Sequence, residues 1–198
     1  AKDAAAPQVL NLRGAILALQ GKYADAAKAF LAALQAHPFL AEAWQNLGVL
    51  FVLADKLDEG AYAFEQARKL DPTAATAIAS EGVVRQLRGQ APDAQACFAS
   101  ALDVDPGNYY AHYALGHSLL EANEDEKAAA ELTQSLKRRS SFGPAMYSAG
   151  VAFLRRRNHA RAVRLLKRVT ATDANRPRAH STLGIAWLGA LDLARAEG

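Results

Sequence analysis

With 198 residues, 51% of them apolar, and a net charge of +3, the chain is long for one compact domain, yet no linker-like stretch divides it, so one continuous body is expected. Abundant alanine and scattered strand formers favour closely packed helices. The single cysteine, Cys97, excludes an internal disulfide; with no apolar run of membrane-spanning length and no opening signal peptide, the expected location is the cytoplasm, or the periplasm if an upstream signal has been removed.

After an N-terminal extension, residues 1–6, a pattern of glycine, large apolar residue and proline recurs every 34 residues. The first unit, 7–40, carries Gly14, Gly21, Tyr23, Ala26, Phe30, Ala33, Leu34 and Pro38. The second, 41–74, repeats it with Gly48, Gly60, Phe64, Ala67 and Pro72, and the third, 75–108, with Gly82, Ala94, Phe98, Ala101 and Pro106. The fourth, 109–142, keeps Leu115, Gly116, Ala128 and Leu136 but has Leu132 for phenylalanine and Ser140 for proline. The fifth, 143–176, keeps Gly150, Phe153, Ala162 and Leu166 and reaches Ala174 without its proline. A sixth, 177–198, holds Pro177, Leu183, Gly184, Trp187 and Ala196 and stops at Gly198 inside an expected second helix, so the sequence is expected to be a fragment of a longer protein.

Each unit predicts two helices, because apolar anchors such as Trp44, Leu47, Gly48 and Phe51 fall at i, i+3, i+4 and i+7 and so share one face. The glycine on that face lets the first helix lie close to the second. Gly21 and Gly89 belong to the turns between helices, and Pro38, Pro72 and Pro106 stop the second helix.

These residues resemble the tetratricopeptide repeat family, with Trp44, Leu47, Gly48, Phe51, Phe64, Ala67 and Pro72 the fullest copy of its signature, over about residues 7–198. The resemblance implies an all-α fold: an α-solenoid, wound as a right-handed superhelix of about five and a half 34-residue helix-turn-helix units. First helices would line a concave groove, second helices the outside. A subgroup of the family clamps chaperone carboxylate tails with lysine, asparagine and arginine. Here Asn46 is suitably placed, but Asn11, Ala15, Thr76 and Ser80 stand where cations are needed, so that mechanism is not expected.

The stripe one residue beyond the anchors is rotated by about 100° and should face the groove. It comprises Asn11, Ala15 and Ala18; Gln45, Val49 and Val52; Ala79, Val83 and Gln86; Tyr113, His117 and Leu120; and Tyr147, Val151 and Leu154. With Tyr110, Tyr113 and Tyr147 offering rings, Gln45 and Asn46 offering amides, and Arg155 at the helix end, this surface suits a partly apolar peptide. The competing expectation is that neighbouring first helices bury these positions against each other.

Residues 1–132 hold 10 Lys/Arg against 17 Asp/Glu, whereas 133–180 hold 12 against Asp173 alone. Arg156 and Arg157 end one helix with Arg155, and Arg161, Arg164 and Arg168 line one face of the next. Such a face is either merely solvated or attracts an acidic protein. The acidic stretch Glu121–Glu131 could meet it in another copy, giving head-to-tail self-association. Nucleic acid is disfavoured, because no aromatics interleave the arginines.

No P-loop, dinucleotide fingerprint, HExxH or paired-cysteine motif occurs, so neither cofactor nor metal is expected. His112 and His180 stand at the position of Trp44 and suggest packing; His117 has no carboxylate on its stripe to orient it as a base, and Cys97 beside Phe98 suggests a buried thiol. The expected function is a non-catalytic scaffold or adaptor that holds a peptide segment of a partner in the groove. The alternative is the substrate-recruiting arm of a larger enzyme, such as a glycosyl- or sulfotransferase. The excess of arginine and alanine suggests a bacterial gene.

Overall fold

The computed structural model describes residues 6–172 and 177–196, with side chains to residue 190. Ala174 and Gly198 lie outside the described residues, as does the side chain of Ala196. The described residues form eleven helices and no strand. These are α1 (Pro7–Leu19), α2 (Tyr23–Ala36), α3 (Ala41–Leu53), α4 (Leu57–Leu70), α5 (Ala75–Leu87), α6 (Ala91–Val104), α7 (Tyr109–Glu121), α8 (Asp125–Arg138), α9 (Gly143–Arg155), α10 (His159–Thr172) and α11 (Pro177–Ala196). The first ten make five antiparallel hairpins, and the helices gather into two compact units, Ala1–Val104 with α1 to α6 and Asp105–Gly198 with α7 to α11.

Within each hairpin the helices close on the repeated glycine. A Cβ on Gly48 would stand 2.6 Å from Cε1 of Phe64, and the same contact recurs between Gly14 and Phe30 and between Gly82 and Phe98. The three phenylalanines are each at most 2% exposed. In the later hairpins Leu132 and Leu166 take the ring's place against Gly116 and Gly150, so the looser sequence copies keep the joint with a smaller side chain.

The turn between paired helices needs one residue in the left-handed region, and it too recurs every 34 residues: Gly21 (φ 75°), Asp55 (59°), Gly89 (76°), Asn123 (60°) and Arg157 (58°). The sequence marks two of these turns with glycine; the other three use residues for which that region costs about 1–2 kcal/mol. Leu191 holds the next register position, yet α11 runs unbroken through it to Ala196 where a second helix was expected. Accordingly Gly184, in the register of Gly48, has nothing within 4 Å of a Cβ.

Polar contacts from the first helices fix the loops that lead into them. Trp44 Nε1 donates to Pro38 O at 2.9 Å, and His112 Nε2 meets Pro106 O at 3.2 Å from the same register while its Nδ1 lies 2.7 Å from Glu131 Oε2. Both nitrogens of His112 are thus spent on structure. Asn108 caps α7 by accepting from Ala111 N at 3.0 Å.

Candidate functional site

The first-helix stripe has a different character in the two units. In Ala1–Val104 its polar groups find each other: Asn46 Nδ2 donates to Asn11 Oδ1 at 3.0 Å, and Thr76 Oγ1 donates to Gln45 Oε1 at 3.3 Å. Asn11 is buried, Ala79 is 0% exposed, and Gln86 is half-buried and engaged; Val49, at 43% exposure, is the stripe's open apolar position. Here neighbouring first helices do cover much of the stripe.

In Asp105–Gly198 the stripe opens into a cleft of about 800 Å³ between the first helices α7, α9 and α11. Six expected residues line it: Tyr113, His117, Leu120, Tyr147, Val151 and Arg155. Tyr113 stands edge-on to Phe142 at 5.1 Å and to His117 at 5.8 Å between ring centroids, and Tyr147 Oη is 3.4 Å from Thr182 Oγ1. These contacts fix the rings before any ligand arrives. Tyr110 does not line the cleft; it is half-buried beside Tyr113, and burial pushes its hydroxyl up to about 12.

Several lining residues escaped the sequence analysis. Pro144 and Arg178 follow Tyr110 at steps of 34, so carrying that position along the register would have found them. Glu121 lines the cleft too, and its Oε1 lies 3.9 Å from His117 Nδ1. Glu121, one helical turn on from His117 and outside the stripe, stands at an ion-pair separation rather than a hydrogen bond.

The basic segment is partly consumed within its own unit. Arg155 donates to Leu120 O at 2.9 Å and lies 3.3 Å from Asp125 Oδ1, while Arg156 donates to Glu126 Oε1 at 2.8 Å. The acidic stretch offered as a surface for another copy thus already serves these arginines and His112. Arg168 donates to Ser140 O at 2.6 Å, and Lys167 lies over the Trp187 ring at 4.5 Å. Arg161 stacks 5.4 Å above Phe153, and Arg157, Arg161 and Arg164 are exposed with no acidic partner among the described residues.

Elsewhere Cys97 is half-buried, and burial pushes its thiol up, away from the thiolate. Among the described residues no group of three or more potential metal ligands occurs, and no helix is long and apolar enough to cross a membrane.

No curated protein matches the chain. Among solved structures it resembles Cut9 bound to Hcn1 from the APC/C (TM-score 0.85, 14% identity, covering 92% of this chain and 36% of that one). It also resembles TTC0263, a thermophilic TPR protein of Thermus thermophilus (TM-score 0.78, 17% identity, covering 92% of this chain and 100% of that one). A third is YrrB, described as a TPR protein with an unusual peptide-binding site (TM-score 0.55, 17% identity, 87% and 89% covered). At these identities the likeness is one of fold. The family model for the tetratricopeptide repeat matches residues 1–41, 12–75 and 85–144, which is more than half of the sequence. With the 34-residue register and its glycine-closed hairpins, that match makes this chain a member of the tetratricopeptide repeat family.

Proposed function

We propose that the chain is an interaction scaffold whose α7, α9 and α11 cleft binds a peptide segment of a partner protein. The observation that carries this reading is the open cleft itself, with two fixed tyrosines beside Leu120 and Val151 and with Arg155 and Arg178 at its margin. Tyrosine offers apolar area and a polar tip at little conformational cost, so it anchors a side chain and orients the backbone beside it. Arg178 adds a preference for a carboxylate, whereas Arg155 is already engaged by Leu120 O and Asp125. The ligand is therefore a segment that sets an apolar or aromatic residue next to an acidic one. YrrB, with its peptide-binding site, is a precedent in the same fold.

Selection from a displayed library of 12-residue peptides, followed by calorimetry on a selected sequence, tests this. Tyr113→Ala and Tyr147→Ala should each weaken binding by about tenfold or more, and Arg178→Glu should weaken acidic sequences more than neutral ones. Selection of the same peptides by all three variants would sink the assignment. A second, acidic partner is favoured by Arg157, Arg161 and Arg164; salt-sensitive binding that disappears in Arg161→Glu/Arg164→Glu while the cleft still binds its peptide would mark it.

A further inference from the structure

The three helices of the cleft contribute to it unequally. α9 lines it along nearly its whole length, from Pro144 to Arg155, whereas α7 lines it only from Tyr113 to Glu121 and α11 only through its first turn, at Pro177, Arg178 and Ala179. An antiparallel helix separates each of these first helices from the next, so all three run in the same direction. The cleft therefore crosses them on a diagonal, following α9 from the start of α11 to the end of α7. Its two ends differ in charge.

At the α11 end stands Arg178, exposed and paired with no acidic side chain among the described residues. At the α7 end the cations are already met within the unit. Arg155 donates to Leu120 O and Asn123 Oδ1 and lies 3.3 Å from Asp125 Oδ1, and Lys127 lies 2.6 Å from Glu124. The exposed carboxylate of Glu121 is left over, 3.9 Å from His117 Nδ1. A carboxylate accepts along about four directions, so that contact leaves it able to take a cation from a ligand. Between the ends stand Tyr113, Leu120, Tyr147 and Val151, all uncharged.

The length of the cleft sets the spacing of the charges it can read. From Pro144 to Arg155 α9 rises about 16 Å, at about 1.5 Å per residue, which an extended chain covers in about five residues at about 3.3 Å each. A helix spends its backbone groups internally, whereas an extended segment offers them to hydroxyls such as that of Tyr147. Resting on the reading of the cleft as a peptide site, we infer that it takes an extended segment of opposite charge at its two ends: an acidic residue against Arg178 and a lysine or arginine against Glu121, about five positions apart, with an apolar or aromatic residue between the two tyrosines. Glu121 is then the residue that sets specificity. A segment acidic throughout gains from Arg178 but is repelled at the α7 end.

Calorimetry on the full chain with capped octapeptides that share a tyrosine–leucine centre tests this. One peptide carries aspartate and lysine about five positions apart; the others replace the lysine by serine or by a second aspartate, or set the two charges side by side. The spaced peptide should bind about two- to fivefold more tightly than the serine peptide, the range of an exposed ion pair, and the doubly acidic peptide more weakly than the serine peptide. Glu121→Gln should cancel both differences and Glu121→Lys should reverse them, each with an unchanged helical spectrum. Tyr113→Ala/Tyr147→Ala reports separately on the cleft, and every peptide should bind it more weakly. Binding that needs the tyrosines but ignores the lysine, or a lysine preference that survives Glu121→Gln, overturns this inference and leaves the peptide cleft standing. Equal affinity for spaced and side-by-side charges overturns it too. Peptides that do not bind, or that bind the tyrosine variant equally well, overturn both.

Discussion

Gly48→Ala tests the hairpin joint, because two effects of opposite sign meet at one atom. In a helix interior alanine is favoured over glycine by about 0.8–1 kcal/mol. Here the added Cβ would lie 2.6 Å from Cε1 and 2.8 Å from Cδ1 of Phe64, where contact between carbons is comfortable at about 3.5–4.0 Å. Phe64 is 2% exposed, so its ring has no free volume to enter, and overpacking of this kind costs about 1–3 kcal/mol. The shift needed approaches 1 Å, which puts the cost at the upper end and leaves a net loss of about 1–2 kcal/mol. Gly184→Ala, in the same register but with open space around its Cβ, keeps only the helix-propensity gain of up to about 1 kcal/mol. Urea unfolding followed by far-UV circular dichroism measures both. A Gly48→Ala chain as stable as the wild type, or a shift of the same sign in both variants, would refute the close-joint argument.

Arg157→Gly should raise stability by about 0.5–1 kcal/mol in thermal melts, because it relieves a left-handed backbone at φ 58°, while Gly89→Ala at φ 76° should lower it by a similar amount. Tyr110 holds its proton to about pH 12 when folded, against about 10 when unfolded. The unfolded chain therefore loses the proton first, so stability should fall as pH rises above 10; a difference titration at 295 nm should show one late tyrosine that disappears in Tyr110→Phe. A double-mutant cycle on Arg156→Ala and Glu126→Ala, a pair on the surface, should give a coupling of about 0.2–1 kcal/mol that fades in high salt.

Much of the fold was legible because the joints are local in register. A glycine sixteen residues before a phenylalanine states both the contact and its closeness, so the spacing from Gly48 to Phe64 defines a hairpin without further information. The turns were half legible: glycine marks Gly21 and Gly89, but Asp55, Asn123 and Arg157 reach the same conformation with side chains that advertise it less, and only the 34-residue step exposes them. The site was harder. The stripe from Asn11 to Leu154 is only a geometric series, and whether a member is open or covered depends on what the next first helix offers across the gap. Asn46 meets Asn11 and is satisfied; Tyr113 and Tyr147 border an open cleft. Composition could not separate those cases, since amides and tyrosines are equally plausible ligands for a peptide.

What crosses the gap follows constant offsets, and this makes one more property predictable. Asp58 pairs with Arg88 and Glu126 with Arg156, each thirty residues apart, because the residue just before the left-handed turn of one hairpin lies beside the start of the second helix in the hairpin before it. The two pairs occupy one register, 68 residues apart along the chain. One step of 34 before Asp58 and Arg88, the same positions hold Ala24 and Ala54, both exposed, so the joint between the first two hairpins lacks the tie. Ala24→Asp with Ala54→Arg should install it. Neither single change meets an opposite charge at this offset, so each alone should shift stability by no more than about 0.5 kcal/mol. Together they should show a favourable coupling of about 0.2–1 kcal/mol in low salt, the range of an exposed pair. Zero coupling would mean that the offset does not transfer between joints, and that the observed pairs reflect their own surroundings rather than the repeat.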